Sequence, residues 1–237
     1  MKDGLLEKIR SRGYWRINFQ PTDYPGEKLT LEQCWDLVEK SSVRLRGWDY
    51  PHVPRRQDDQ SGSQPCGEYF EGWVDWQHHK EFWRMYRSQQ FIHYLALRED
   101  WYQEGEFTSE AAKQIKPGTV VGVIGTVVYQ TTEIFEFLSR LTRSGVYESG
   151  ALVDISLQNM KGRALRIEDP MRGDFITPRT TGAEAIAIKR QCGADEVLTG
   201  AAELAKGAIV EIFDNFGWHN PPIDQIKADQ DKFLKGL

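Results

Sequence analysis

The sequence predicts an α+β fold built on a mostly antiparallel sheet. Three stretches, 14–19, 68–76 and 89–97, place alternate residues on opposite faces, as strands do. Two others, 30–40 and 195–216, repeat apolar residues at helical spacing. Because the connections between the strand candidates are short, antiparallel pairing with helices on one face is favoured.

The N-terminal half carries the clearest local signals. Thr30 and Gln33 have the spacing of a capping box, which predicts the start of a helix. Gly13 ends a short apolar stripe and predicts the end of the first helix. The predicted order is helix 3–11, strand 14–19, helix 30–40, strand 43–48, loop 55–67, strand 68–76, helical turn 79–86 and strand 89–97.

A change in composition after residue 104 predicts a subdomain boundary. Seven of the eight tryptophans precede it, and only Trp218 follows. We therefore expect a Trp-rich α+β subdomain at 1–104 and an α+β subdomain with two long helices at 105–237; the two can form one compact unit. The second is a smaller α-β-β-β-α unit: helix 119–144, strands 151–157, 163–167 and 185–190, and helix 195–216, with a short helix from residue 223.

Two parts of this second unit have specific signatures. The segment Asn159-Met160-Lys161-Gly162 is typical of a hairpin turn between strands 151–157 and 163–167. The first third of 119–144 is rich in β-branched residues and glycine, so a strand is the alternative there.

Composition indicates a globular protein without a membrane or disulfide role. Hydrophobic residues make up 40% and charged residues 27% of the chain, and the formal net charge is −5. That charge argues against broad nonspecific binding of nucleic acid. The three cysteines are widely separated, which favours a reducing compartment. We expect a cytoplasmic protein, because the N-terminus lacks the apolar core of a secretory signal and the run 120–129 is too short to span a bilayer.

Two similar phrases, GWDYPH and GWVDWQH, contain the first candidate site. Each places a histidine three residues after an aspartate among aromatic side chains: Asp49 and His52, then Asp75 and His78. If they converge, these four side chains could hold Zn, Mn or Fe. The favoured interpretation is structural, with the rings in the core and the polar side chains bonded to strand-end turns.

Other chemical motifs have simpler explanations. His93 and Cys34 lie at core positions of a strand and a helix. The glycines at 118, 122 and 125 lack the lysine of a phosphate-binding loop, so close helix packing explains them better. Basic and aromatic residues of the first half could bind single-stranded nucleic acid, although acidic residues interleave with them: Arg10, Arg12, Trp15, Arg16, Arg44, Arg46, Arg55, Arg56, Lys80, Arg84 and Arg87.

These patterns favour a non-enzymatic interaction or ligand-binding protein, for example a subunit of a bacterial-type multiprotein system. Its partner would be another protein or a second copy of the chain; nucleic acid is possible but not favoured, and no cofactor or metal is favoured. The alternatives are a metal-dependent hydrolase or nuclease using the two Asp/His pairs, and a single-stranded nucleic-acid-binding protein. The predicted binding residues are Trp48, Asp49, His52, Arg55, Asp75 and His78.

Overall fold

The computed structural model describes residues 2–24, 26–106 and 108–236. The strands are β1 (Tyr14–Pro21), β2 (Ser61–Cys66), β3 (Tyr69–Trp76), β4 (His79–Tyr86), β5 (Phe91–Ala96), β6 (Val120–Gly122), β7 (Ala151–Gln158), β8 (Ala164–Arg166) and β9 (Ala185–Cys192). The α-helices are α1 (Leu5–Arg10), α2 (Leu31–Ser41), α3 (Glu110–Lys113), α4 (Gln130–Arg143), α5 (Ala194–Asn215) and α6 (Ile223–Leu234). A 3-10 helix spans Arg98–Glu104, and a π-helix spans Val123–Tyr129.

The predicted α+β class is confirmed. Within the described residues, seven strands form one antiparallel sheet in the order β2-β3-β4-β5-β1-β7-β9. β1 lies between β5 and β7, so the sheet contains strands from both sides of the composition change at residue 104. Strands β6 and β8 form a separate parallel pair.

The two faces of the sheet are covered unequally. Helices α2, α4 and α5 pack on the face that carries Trp15, Trp83 and Ile155, and this side holds the main core. Helix α1 and the 3-10 helix cover part of the other face, around Tyr14 and Trp101. No helix within the described ranges has both the length and the apolar character needed to cross a membrane.

The predicted capping box of α2 is present. The Thr30 hydroxyl accepts a hydrogen bond from the Gln33 backbone N–H, and the Gln33 side chain accepts one from the Thr30 N–H. Cys34 and Val38 of this helix are buried.

Residues 79–86 form strand β4, so the predicted helical turn is wrong. Their side chains alternate, with Glu81 and Trp83 toward the main core and Lys80 and Phe82 toward the other face. Both faces of β4 are buried, and each carries a charged residue. The sequence therefore does not show the alternation of apolar and polar residues that would indicate a strand. Gln77, at a positive φ of 46°, forms part of the tight turn after β3 without the usual glycine or asparagine.

Two other predictions near this region are corrected. Residues 43–48 form no strand; Val43 makes only an isolated bridge to Tyr50. The predicted loop 55–67 contains β2, whose polar sequence pairs with β3 through backbone hydrogen bonds. The peptide bond between Tyr50 and Pro51 is cis.

In the second half, the predicted hairpin is wrong and the predicted helix is divided. β7 pairs with β1 and β9, whereas β8 pairs with β6, because the chain turns away after Asn159. The stretch 119–144 contains β6, the π-helix and α4 in succession, so the strand alternative holds for its start. The strand at 185–190, the helix at 195–216 and the final helix are confirmed as β9, α5 and α6.

Candidate functional site

Trp48 separates two cavities at one end of the sheet. Its indole stacks on Trp76, with ring centroids 5.5 Å apart, and on His52, with ring centroids 4.4 Å apart. Its indole N–H donates to His79 Nε2 at 3.0 Å. Two stacked rings and a hydrogen bond therefore hold the indole in place, and Trp48 acts as a fixed wall.

On one side lies a cavity of about 190 Å³ that we call the inner pocket. It lies where β1, β4 and β5 meet the π-helix. Its lining residues are Trp15, Arg46, Trp48, Trp76, His78, His79, Leu95, Ala96, Leu97, Arg98, Gly125, Thr126 and Gln130. They include two arginines and two histidines but no aspartate or glutamate, although the whole chain carries a net charge of −5.

Arg46 is held in the wall of the inner pocket by α4. Its guanidinium forms a bidentate pair with Glu133, at 3.1 and 2.6 Å, and donates to the Gln130 side-chain oxygen at 2.8 Å. Burial raises the pKa of Glu133 to about 7 even though the positive charge of Arg46 opposes the shift. Glu133 is therefore protonated at a higher pH than an exposed glutamate, and its proton would weaken the pairing with Arg46 as the pH falls.

Two glutamates fix the start of the π-helix. Glu168 accepts hydrogen bonds from the backbone N–H groups of Ile124 and Gly125, and Glu99 accepts from the Gly122 N–H and the Thr126 hydroxyl. These contacts occupy the first donors of the helix and satisfy N–H groups that a helix start leaves free. They place Gly125, Thr126 and Gln130 along the inner pocket.

Gly125 is required by its close approach to Arg98. A Cβ atom on Gly125 would overlap the Arg98 guanidinium. The arginine can therefore cross the π-helix at this point and reach the pocket. Its closest acidic neighbour, Glu168, is 4.0 Å away.

Residues lining the inner pocket supply four buried polar atoms without a hydrogen-bond partner. They are Trp15 Nε1, His78 Nδ1, Arg98 Nε and Gln130 Nε2. Trp15 and Gln130 are only 1% and 6% exposed. The Gln130 oxygen faces the Arg46 guanidinium, so its amide nitrogen must be the group left free. Each such buried donor costs about 1–3 kcal/mol when it has no acceptor.

On the other side of Trp48 lies a wider and more open cavity of about 530 Å³, which we call the outer basin. It lies between the loop after α2 and the start of β2. Its lining residues are Arg44, Gly47, Trp48, Asp49, His52, Val53, Pro54, Arg55, Arg56, Asp58 and Ser61. Four of the predicted binding residues, Trp48, Asp49, His52 and Arg55, are thus brought together here.

Asp49 and His52 form a direct pair in the outer basin. The Asp49 carboxylate lies 2.5 Å from His52 Nδ1, and its second oxygen accepts from the Val53 backbone N–H. Burial lowers the pKa of His52, but the Asp49 carboxylate and the Glu81 charge together raise it by more. The pKa of His52 therefore lies above its ordinary value. Burial raises the pKa of Asp49, but the hydrogen bond and the charge of His52 lower it by more, so this pKa lies below its ordinary value.

Glu81 connects the walls of both cavities. This fully buried carboxylate accepts the His52 backbone N–H, lies 3.0 Å from His79 Nε2 and lies 2.6 Å from His93 Nε2. Burial raises its pKa, but His79 and His93 lower it more, so the pKa of Glu81 is well below its ordinary range. His93, predicted as a core histidine, is indeed fully buried.

The second predicted Asp/His pair is divided between other environments. Asp75 lies on the opposite face of the sheet, where Lys2, Lys8 and Lys80 approach its carboxylate at 3.0, 2.9 and 3.5 Å. His78 lines the inner pocket, where burial lowers its pKa. No group of three or more potential metal ligands of the His, Cys, Asp or Glu type occurs in the described part of the chain.

The tryptophans do not form an exposed aromatic surface. Trp15, Trp73, Trp83 and Trp101 are buried, and the other four are partly buried. An aromatic face for a protein partner or for stacking bases therefore has no support from their placement.

The sequence indicated the outer basin but not the inner pocket. The Asp/His phrase and neighbouring arginines identified the outer basin. Arg98, Gln130 and Thr126 of the inner pocket were missed because the π-helix that brings them together has no recognisable sequence signature. A glutamine directly after a β-branched, glycine-containing stretch, Gln130, was the available signal in the sequence.

Comparisons with protein-family models, with curated proteins and with solved structures find no significant match. No family relationship therefore assigns a ligand or a reaction to either cavity. The contacts and charges of the two cavities are what bear on function.

Proposed function

We propose that this protein binds a small anionic ligand, of the carboxylate class, in the inner pocket. The observation that carries the proposal is the set of buried donors without acceptors, Trp15 Nε1, Arg98 Nε and Gln130 Nε2, in a pocket without a lining carboxylate. This is the ligand-binding form of the function that the sequence predicts.

The charge of the lining favours an anion over a cation or a neutral molecule. Arg46 and Arg98 both line the cavity. In a partly enclosed site, Coulomb interactions are several-fold stronger than in bulk water. Water could satisfy the same donors, but it would not neutralise Arg98, whose nearest carboxylate, that of Glu168, is 4.0 Å away.

The size and walls of the pocket limit the ligand further. Its volume of about 190 Å³ is below the range of ~300–1,000 Å³ typical of drug-sized ligands. Trp15, Trp76 and Leu95 provide apolar surface beside the donors. A short carboxylate with a small apolar or aromatic group fits this combination.

A panel of matched probes tests the proposal. Benzoate and acetate are compared with benzamide, acetamide and benzylamine by thermal unfolding and by isothermal titration calorimetry. We expect the carboxylates to raise the unfolding midpoint and to bind, and the neutral and cationic probes to have no such effect. Equal binding of benzoate and benzamide, or no binding of either carboxylate, would contradict the proposal.

The substitution Gln130→Glu locates the binding. It preserves an oxygen for Arg46 but replaces the free amide donor with an acceptor, so benzoate binding should weaken by at least about tenfold. Gln114→Glu makes the same change at an exposed glutamine and should leave binding unchanged. Retained binding in Gln130→Glu would place the ligand elsewhere.

A further inference from the structure

The outer basin has a positive wall formed by three arginines from two neighbouring segments. Arg44 precedes Trp48, and Arg55 and Arg56 follow His52. Arg55 has a distant ion pair with Glu39, at 3.6 Å, whereas Arg44 and Arg56 form no direct ion pair with another described residue. Guanidinium groups in this state can bind an incoming anion without first breaking a strong pair.

The two carboxylates in the same wall are already engaged. Asp49 bonds to His52 and to the Val53 N–H. Asp58 accepts from the backbone N–H groups of Gln60 and Ser61, and these bonds lower its pKa. Their oxygens therefore stabilise the local turns. Neither carboxylate forms an ion pair with the three arginines, although the charge of Arg56 contributes to the lowered pKa of Asp58.

His52 is held rigidly with one ring nitrogen available. Asp49 occupies Nδ1, and the ring stacks on Trp48. The backbone is fixed at both sides, because its N–H donates to Glu81 and its carbonyl accepts from Trp83 Nε1 at 2.7 Å. Nε2 forms no hydrogen bond with another described residue. In the protonated ring, which the Asp49 carboxylate stabilises, both nitrogens carry a hydrogen, so Nε2–H can donate to an anionic ligand while Nδ1–H stays bonded to Asp49.

We propose that the outer basin binds a phosphate-bearing ligand through Arg44, Arg55, Arg56 and the His52 Nε2–H, independently of the inner pocket. Phosphate oxygens match planar arginine donors and imidazolium N–H groups in charge and geometry. A free phosphate compound and a phosphate within a nucleotide share this chemistry. Recognition of a base by stacking on Trp48 is not part of it, because that ring already stacks on His52 and Trp76.

Pyrophosphate is a suitable probe for this site. Calorimetric titration at low salt should show binding, and the His52 Nε2 resonance should shift in long-range ¹H–¹⁵N spectra. The double substitution Arg44→Gln and Arg56→Gln should weaken binding by about tenfold or more. The same change at exposed Arg143 should have no measurable effect.

Three further comparisons separate this site from a general charge effect and from the inner pocket. Gln130→Glu should retain pyrophosphate binding, whatever it does to carboxylates. The pair Arg44→Lys and Arg56→Lys keeps the charge and loses the paired donors, so its affinity should lie between those of the wild type and the glutamine variant. Uridine monophosphate should bind through its phosphate, and uridine should not bind.

Several results would overturn the proposal. An equal loss of affinity in Arg143→Gln would show nonspecific attraction. An unmoved His52 resonance at saturating pyrophosphate would place the ligand away from the basin. Binding of uridine itself would indicate base recognition.

Discussion

The inner pocket and the outer basin are both positive, but they differ in what surrounds the charge. In the inner pocket, buried donors of Trp15 and Gln130 lack acceptors, Arg46 is paired with Glu133, and the carboxylate nearest to Arg98 is 4.0 Å away. In the outer basin, the arginines are exposed and two engaged carboxylates lie among them. Burial makes each donor in the inner pocket costly to leave free, whereas water satisfies those of the outer basin. We therefore expect the inner pocket to select among ligands, and the outer basin to attract anions with an affinity that falls as salt is added.

The largest expected effect is from Glu81→Gln, which disturbs both cavities. Glu81 holds the His52 backbone on one side and lies against His79 on the other. Removing one partner of a buried charged network costs about 3–5 kcal/mol. We expect a loss of that order in the free energy of unfolding, measured in urea, and weaker binding at both sites.

A control and a pH test accompany this prediction. Glu110→Gln, at an exposed residue, should leave stability unchanged. Because the pKa of Glu81 is lowered in the fold, its stabilisation is present above the unfolded pKa and is lost as the pH falls through the folded pKa. The stability difference between the wild type and Glu81→Gln should thus shrink in acid; a constant difference would contradict the network.

The next effect separates the cavities. Trp15→Phe removes the indole N–H and keeps most of the ring, so one buried donor is lost from the inner pocket. Carboxylate binding should weaken by about tenfold, in line with ~1.5 kcal/mol for a hydrogen bond to a charged group. Pyrophosphate binding in the outer basin should not change; a loss at both sites would show that the cavities are one unit.

A smaller effect concerns the pH dependence of the inner pocket. The pKa of Glu133 is raised to about 7 by burial, against the opposing effect of Arg46. Protonation below that pH removes the negative charge beside Arg46, so benzoate affinity should rise by about threefold to tenfold between pH 8 and pH 6. Glu133→Gln should flatten this profile. An affinity that falls with acidification would contradict the assignment.

The smallest effect is expected at the Asp49/His52 pair. Asp49→Asn removes the carboxylate that raises the pKa of His52. Because a raised pKa keeps His52 protonated to higher pH, the variant should lose pyrophosphate affinity at a lower pH than the wild type, by about threefold near neutrality. The His52 titration followed by NMR checks the cause, and an unchanged midpoint would exclude it.

The fold class was predictable because local signals and tertiary structure agree at several elements. Thr30 and Gln33 cap α2 as their spacing predicts, and the alternation at Tyr69–Trp76 is that of an actual strand. β4 was not predictable from its pattern, because Lys80 and Glu81 are buried by partners distant in sequence. A turn at Gln77 without glycine gave no sign of the hairpin.

The candidate site was predictable only where its residues are close in sequence. Asp49, His52 and Arg55 lie within one loop, so their proximity could be inferred. The inner pocket joins Trp15, Arg98 and Gln130 from three distant elements. Their convergence depends on the π-helix and on the position of β1 inside the sheet, neither of which has a local sequence signature.

The indole N–H resonance of Trp15 tests the central claim most directly. The eight tryptophans give indole signals that can be resolved in a ¹H–¹⁵N spectrum, and Trp15→Phe identifies one of them by its disappearance. On addition of benzoate, we predict that the Trp15 signal shifts downfield and saturates with the calorimetric affinity, while the Trp218 signal stays in place. A Trp15 signal that does not move while benzoate binds would contradict the assignment of the inner pocket as an anion site.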